Sequence, residues 1–428
     1  MPSLQSVISC QSDYDPTALP VTQANAIIAD VIEPVRGIEQ LPIRSALSRV
    51  LANDVISSID VPAHDNSAMD GYAFAGAMLN QGDGDVVLEV SGTAYAGSAF
   101  DGEAKAGQAV RIMTGAVMPA GCDTVIPQEF VEIQAGGNQV RFRPDAVRAG
   151  DNRRRQGEDL ARGQAALRAG RILTPADLGL MASLGVAEVK VRRRLRVAFF
   201  STGDELRSIG ETLDPGCVYD SNRYTLHGML QRLNVELIDM GVVRDDPEIM
   251  EAAFRTACEV ADAVITSGGV SVGDADYTKQ IMARLGDVSF WKIAMRPGRP
   301  MAFGRIASGG HEAVLFGLPG NPVAVMVTFY NFVRGALHRL MGADVAPLPR
   351  IRVRSATPIR KRPGRTEYQR GIVAPGPDGE LEVRVTGEQG SGVLRSMSEA
   401  NGFIVLDHDQ TSVAAGDLVS VMLFDGLV

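Results

Sequence analysis

The sequence has little that would tie a chain to a transition metal, a membrane or a nucleic-acid backbone. Its four cysteines, Cys10, Cys122, Cys217 and Cys258, lie far apart and form no CxxC pair. Neither a zinc knuckle nor a disulfide framework is indicated, and reduced, mostly buried thiols point to a cytoplasmic protein. The five histidines, His64, His227, His311, His338 and His408, are equally scattered, which argues against a histidine-rich metal centre. No apolar run approaches the length needed to cross a bilayer, and the stretch MPSLQSVISCQSDYDP lacks the basic-then-apolar order of an export signal. A soluble, unexported protein with no membrane partner is expected. A formal net charge of -9 disfavours nonspecific nucleic-acid binding, which relies on a basic face to neutralise phosphates. Two local basic clusters stand against that balance: Arg153 to Arg155, and the group Lys292, Arg296 and Arg299. No repeat at solenoid period and no low-complexity tract is present.

What is there is a chain of 428 residues, 45% hydrophobic and 22% charged, long enough for two to four domains with cores of their own. Thr22 to Glu33 and Arg44 to Leu51 carry apolar residues at helical spacing, whereas Val86 to Phe142 is rich in valine, glycine and short alternating runs and reads as β. Thr174 followed by Pro175 predicts a capped helix that stops at Gly185. Arg192 to Arg194 marks a boundary. Beyond it, strands at Leu195 to Phe200, Val235 to Met240, Ala263 to Thr266, Phe290 to Ile293 and Val314 to Gly317 alternate with helices. These run from Ser221 to Leu233, from Asp246-Pro247 to Val260, after Tyr277, and from Pro322 to about Leu340. Such alternation implies an α/β domain with a doubly wound, mostly parallel sheet, reaching from about Arg192 to Gly342. After Pro347-Leu348-Pro349, short strands at Leu381 to Val385, Gly402 to Leu406 and Leu418 to Leu423 read as a small β domain.

In an open parallel sheet, ligands bind beyond the carboxyl ends of the strands, where loops and helix N-termini present unpaired amide donors. Three loops fall at such ends: Ser201-Thr202-Gly203-Asp204-Glu205, the run Ser267-Gly268-Gly269-Val270-Ser271-Val272-Gly273, and Gly317-Leu318-Pro319-Gly320-Asn321-Pro322. Any one of them reads as a tight turn; three at one edge point to a phosphate-bearing anion. Asp204, Glu205, Asp245, Asp274 and Asp276 crowd the same region and would repel such an anion unless a hard cation such as Mg²⁺ lies between. Glu205, Asp245 and Asp276 are assigned to chemistry and metal, while Asp246, followed by Pro247, is read as a helix cap. Lys279, Lys292, Arg296 and Arg299 supply positive charge, two of them on the stiff turn Arg296-Pro297-Gly298-Arg299-Pro300. Asp65-Asn66-Ser67-Ala68-Met69-Asp70-Gly71-Tyr72 and Arg111-Ile112-Met113-Thr114-Gly115 are explained by neither helical nor strand period, and each alone reads as turn chemistry.

Together, DNSAMDGYA, RIMTGA, NRRRQGEDL, STGDEL, VRDDP, SGGVSVGDADYTK and GLPGNPVA resemble, in order and over nearly the whole chain, the molybdopterin molybdenumtransferase family, MoeA in bacteria and the gephyrin E-domain in animals. The resemblance implies insertion of molybdate into the dithiolene of adenylylated molybdopterin, with release of AMP and a need for Mg²⁺. It also implies a homodimer whose active sites are shared between subunits, so that Asp70 and Thr114 reach a partner's cleft. Four parts are expected: residues 1–60 with 150–192 as a helical linker domain, 61–149 as a β-rich inserted domain, 193–345 as the α/β domain and 346–428 as a barrel-like β domain. Carried over by motif, Asp70, Asp159, Glu205, Asp245 and Asp276 match acidic functional positions and Arg154 and Lys292 basic ones. Pro319 and Pro322 match loop prolines, and Ser391 matches a serine of the C-terminal domain. Thr202, Gly203, Ser267, Gly268, Gly269, Ser271, Gly320 and Asn321 join the substrate-binding set. The family often has lysines where this chain has Arg296 and Arg299, which keeps the charge and changes the geometry offered to an oxyanion. Two other readings accompany it: a molybdopterin adenylyltransferase, and a scaffold that keeps the fold without the chemistry.

Overall fold

A computed structural model of the chain describes residues 3–9, 14–80, 84–269 and 276–424. They fall into two compact units, one made of Met1–Asn53, Ala169–Leu178 and Glu188–Val428, the other of Asp54–Arg168 and Gly179–Ala187. The chain is a multidomain α/β protein.

The centre of the first unit is a six-stranded sheet of β1 (Arg196–Thr202), β2 (Glu236–Val243), β3 (Ala263–Ser267), β4 (Gly286–Lys292), β5 (Pro300–Ser308) and β6 (His311–Leu318), in the order β2-β1-β3-β6-β5-β4. Strands β2, β1, β3 and β6 are parallel, and β5 and β4 close the far side antiparallel. The strands read as unbroken apolar runs because both faces are covered. Val197, Phe199, Ala263, Ile265 and Phe316 enter one core with helix α1 (Ser221–Arg232) and the helical segment from Pro322 to Leu340. Their neighbours Ala198, Phe200, Val264 and Leu315 enter the other, with α2 (Pro247–Val260) and α3 (Asp276–Leu285). Phe200 meets Phe254 of α2 edge-on, ring centroids 5.2 Å apart. Burying each such ring contributes about 1.5–3 kcal/mol. Asp246 caps α2 as expected, its Oδ1 accepting from the amides of Glu248 and Ile249 at 3.0 Å each.

The same unit holds a closed β barrel. Strands Thr366–Pro375, Leu381–Val385, Ile351–Ser355, Leu418–Leu423 and Gly402–Leu406 pair in that order and the last returns to the first, around Val353, Val383, Ile404, Leu406, Val419 and Val421. The helix Val21–Val31 packs Ala24, Ile27, Ile28 and Val31 into the larger α/β core. The second unit is built on a six-stranded sheet containing Gly71–Phe74, Val86–Ala94, Gln108–Ile112, Thr124–Pro127, Glu132–Gln134 and Gln139–Phe142, with Tyr72, Phe74, Leu88, Ile126 and Phe142 at its core.

Three local expectations change. Arg44 to Leu51 is not a helix: a single 3-10 turn at Ile43–Ser45 ends as Ser48 takes a φ of 60°, after which Val50 and Leu51 bridge to Ile172 and Val191. The helix from Pro322 is α4 (Pro322–Thr328) followed by a wide turn at Phe329–Val333 and then Arg334–Leu340. Just before that turn the Thr328 hydroxyl bonds back to the carbonyls of Ala324 and Val325, which competes with the helical ladder. β5 has no counterpart in the sequence-based strands.

His338 lies buried in this last helix, 7% exposed, with neither ring nitrogen hydrogen-bonded. Burial, helped by the charge of Arg334, pushes its pKa down to about 4. The folded chain therefore prefers the neutral ring, while the unfolded chain takes up a proton below about pH 6.5. Stability is thus full above that pH and is expected to fall as the pH drops toward 4, by up to about 3 kcal/mol. Urea unfolding at about pH 7 and about pH 4.5 should show this loss, and His338→Leu should remove most of its share.

Candidate active site

Because β2, β1, β3 and β6 run parallel, their carboxyl ends share one edge of the sheet. The reversal at β5 brings the β4–β5 turn, residues 293–299, to the same edge. There the loops enclose a cavity of about 1080 Å³, lined among others by Thr202, Gly203, Glu205, Asp245, Ser267, Gly268, Gly269, Arg296, Arg299, Pro319, Gly320, Asn321 and Ser391. Glycine makes the approach of these backbones possible. Gly268 has a φ of +92°, and a Cβ on it would stand 2.5 Å from the Thr202 carbonyl oxygen; Gly269, at +66°, would put one 3.0 Å from Thr202 Oγ1. The Gly268 amide donates to the Leu318 carbonyl at 3.1 Å, and Asn222 Nδ2 to the Gly320 carbonyl at 2.7 Å, so the loops hold one another. Thr202 Oγ1 and Asn222 Oδ1 are buried in residues that line the cavity and have no hydrogen-bond partner among the described residues, which suits them to a ligand.

Charge is divided across this edge. Glu205 follows β1, its carboxylate folded over Gly203, and Asp245 follows β2, its amide accepted by Asp204 Oδ1 at 3.3 Å. Asp204 thus joins the two acidic loops. The basic turn follows β4 at the other end of the strand order. Its segment Met295–Arg296 adds to the barrel strand Thr366–Pro375, with Met295 opposite Thr366 and Arg296 opposite Glu367. The Ile293 amide donates to the Arg299 carbonyl at 2.7 Å and closes the turn. From the barrel, the loop carrying Gln389 and Ser391 reaches the cavity, its Ser391 carbonyl accepting from the Val323 amide in α4 at 3.1 Å.

Not every residue named from the sequence lines this cavity. Lys279 holds its ammonium 5.7 Å from the centroid of Phe290. Lys292 is tied through its backbone to Pro16 and Leu19, and Pro322 occupies the first position of α4, where a missing amide costs nothing. Ser271 and Asp274 lie outside the described residues; Asp276 opens α3. Conversely, Asn222 and Arg365 line the cavity unannounced by any motif, and Thr278 and Gln389, which stand inside the SGGVSVGDADYTK and QGS motifs, line it without having been singled out. The only sequence signal for Arg365 is the basic density of the stretch around it.

The β-rich unit gathers its own constellation. Gly71 pairs with Ile112, so Asp70 and Thr114 lie at one end of neighbouring strands. Asp70 Oδ1 accepts from both the amide and the hydroxyl of Thr114 at 2.7 Å. These bonds, the amide first, hold its carboxyl below the usual carboxylate range although it is exposed. Arg153 pairs with Asp65, the Gln156 amide donates to Asp65 Oδ1 at 2.7 Å, and Arg154 stands opposite Asn66. The DNSAMDGY, RIMTGA and NRRRQGED segments thus meet within one unit, with Arg154 and Asp159 exposed.

Carboxylates and arginines in one glycine-lined cavity suit a ligand with both phosphate and oxyanion character. Residues 19–185 match the MoeA N-terminal region (domain I and II), 198–339 a probable molybdopterin binding domain and 352–424 the MoeA C-terminal region (domain IV). The molybdopterin molybdenumtransferase of Haemophilus influenzae is 42% identical over 91% of this chain and 95% of its own length, and that of a Nostoc species 35% identical over 98% and 99%. The chain belongs to the molybdopterin molybdenumtransferase family. A solved molybdopterin biosynthesis moeA protein from Pyrococcus horikoshii is similar over 95% of this chain and 100% of its own, with a TM-score of 0.80 at 28% identity. Within the family frame, the cavity's lining falls in the regions matched as molybdopterin-binding and C-terminal, and the Asp70 constellation in the N-terminal region.

If the cavity floor depends on the Gly268–Thr202 approach, Gly268→Ala should weaken binding of AMP, a minimal phosphate-bearing probe, by about tenfold or more. Calorimetric titration of the full chain would read this, with a melting temperature lowered by only a few degrees as the check on folding.

Proposed function

We propose that this protein acts in molybdenum-cofactor biosynthesis, inserting molybdate into the dithiolene of adenylylated molybdopterin and releasing AMP. The observation that carries the reading is the polarity of the cavity, with Glu205 and Asp245 at one end of the strand order and Arg296, Arg299 and Arg365 at the other. A phosphoanhydride fits beside carboxylates only when a cation lies between them, and a tetrahedral oxyanion fits beside arginines. Mg²⁺ characteristically takes one or two carboxylates together with substrate phosphates and water. Glu205 and Asp245 fit that donor set, Asp276 being the third candidate, whereas no cluster of three or more metal-ligating side chains occurs among the described residues. When bound there, Mg²⁺ would neutralise charge on the phosphoanhydride.

The chain's own groups divide the remaining work. Amides of Gly269 and Gly320 offer donors to the phosphates, Thr202 and Asn222 add side-chain partners, and Arg296 and Arg299 orient molybdate against the dithiolene sulfurs. The acidic end accepts a proton from the water that attacks the phosphoanhydride, whose P–O bond breaks to release AMP and leave the phosphate on the pterin. Asp70, Thr114, Arg154 and Asp159 belong to the other compact unit, and in this reading they complete the cavity of a second subunit in a homodimer. Asp70, kept ionised by Thr114, brings a fixed negative charge to the cation side. The four-part division of the chain into linker, inserted, α/β and barrel domains, and a cytoplasmic location, go with this reading. Among the described residues no helix is long and apolar enough to cross a membrane.

Glu205→Gln is expected to lower molybdate-dependent AMP release by about 100-fold or more while the full chain still binds adenylylated molybdopterin. Asp70→Asn should lower it too. Release unchanged in both, measured with purified protein and Mg²⁺, would remove the carboxylates from the chemistry.

A further inference from the structure

Beside the active cavity lies a second one of about 780 Å³, walled by the barrel. The two share Arg296, Pro297, Arg365 and Gln389, so they are contiguous. The second is built from the most basic stretch of the chain: eight of the residues from Arg350 to Arg370 are Lys or Arg and only Glu367 is acidic, in a protein of net charge -9. Most of the inner charges are engaged. Lys361, buried, donates its ammonium to the carbonyls of Arg362, His408 and Gln410 at 3.2, 3.2 and 2.8 Å. The Arg370 guanidinium, 1% exposed, bonds the carbonyls of Glu388, Gln389 and Gly390. Arg365 pairs with Glu367 at 2.9 Å, and that carboxylate is 4% exposed, so the one acid of the wall projects little negative field. Arg360 and Arg362 differ. Both are exposed at the cavity, and among the described residues neither guanidinium has a hydrogen-bond or ion-pair partner.

Resting on the function proposed above, we infer that this basic cavity is the intake route for the oxyanion: Arg360 and Arg362 draw molybdate in from the barrel side and pass it to Arg296. The large substrate needs the main mouth of the active cavity, and a small dianion approaching over Glu205 and Asp245 meets repulsion. Through the barrel it meets a lining of five arginines and one lysine against one carboxylate, Glu367, which Arg365 already pairs; Asp407 and Asp409 lie close enough to act on Lys361 but do not line the cavity. A cleft lined by one sign of charge raises local counter-ion concentration and association rates by roughly 10- to 1,000-fold, an effect that salt removes. The inner wall, with its charges already engaged, does not trap the anion on the way.

The test uses the full-length protein with two arginines reversed, Arg360→Glu with Arg362→Glu. Its control carries the same change of charge on the strand Ile351–Ser355, Arg352→Glu with Arg354→Glu, both exposed beside a third depression that shares only Ser412 with the basic cavity. Stopped-flow association of molybdate and molybdate-dependent AMP release are measured at low and high salt. The first variant should lose about tenfold or more in association rate and in kcat/KM for molybdate at low salt. Its kcat at saturating molybdate and its half-saturation by adenylylated molybdopterin should not change. The control should stay within about twofold of wild type. Equal losses in both variants, no loss in the first, or a fall in kcat alone would overturn the inference. Wild-type protein that binds molybdate yet releases no AMP would instead sink the functional reading, and the association rates would still decide the route.

Discussion

The site depends on the close approach of Gly268 to the Thr202 carbonyl. Two parallel strands end there side by side, and their loops converge without a side chain between them, 2.5 Å being the distance at which a Cβ would meet that oxygen. Everything around the cavity is arranged on this contact. The Gly268 amide reaches the last residue of β6, Asn222 holds the loop after it from α1, and Asp204 ties the loop after β1 to the one after β2. Two buried polar atoms, on Thr202 and Asn222, have no hydrogen-bond partner among the described residues. A floor of this kind is organised before any ligand arrives, so less ordering is needed on binding.

Charge is sorted by strand order rather than by sequence proximity. Glu205 and Asp245 follow adjacent parallel strands at one end, while Arg296 and Arg299 sit on the turn between two antiparallel strands at the other. The barrel reinforces the basic end because Met295–Arg296 is annexed to its strand Thr366–Pro375, which also carries Arg370 and begins next to Arg365. The acidic chain thus holds its positive charge where an oxyanion can use it. Opposite charges placed apart in one cavity can hold a ligand with two kinds of anionic group, one through a cation and the other directly.

Much of this was legible locally. The strands around Phe199, Ile265 and Phe316 announce themselves as apolar runs because a doubly covered sheet needs no polar face. Asp246-Pro247 reads as a cap because a carboxylate and an N1 proline suit the same four orphan amides. Glycine loops at strand ends point to the cavity, and the order of motifs points to the family. What escaped has a physical reason in each case. Ser48 leaves the helical region at a position where apolar spacing alone suggests a helix. β5 opens with proline and carries Gly304, on which a Cβ would meet the Asp287 carbonyl oxygen at 2.1 Å, so its strand character comes from pairing with β4 rather than from propensity. Arg365 and Gln389 belong to the barrel and reach the cavity through the pairing of the barrel with the β4–β5 turn and the bond from Val323 of α4 to Ser391.

By itself, then, the sequence determined the fold class, the family and the loops that bear glycine and carboxylate, since periodicity, capping and motif order are local properties of a chain. Tertiary structure alone decided which charges meet. It turned Lys279 onto an aromatic ring, brought Arg365 into the wall, drew the three motifs of the β-rich unit around Asp65 and Asp70, and set Arg360 and Arg362 at a second cavity with no partner among the described residues. These outcomes depend on strand order and on contacts between residues far apart in the chain, which no local pattern encodes.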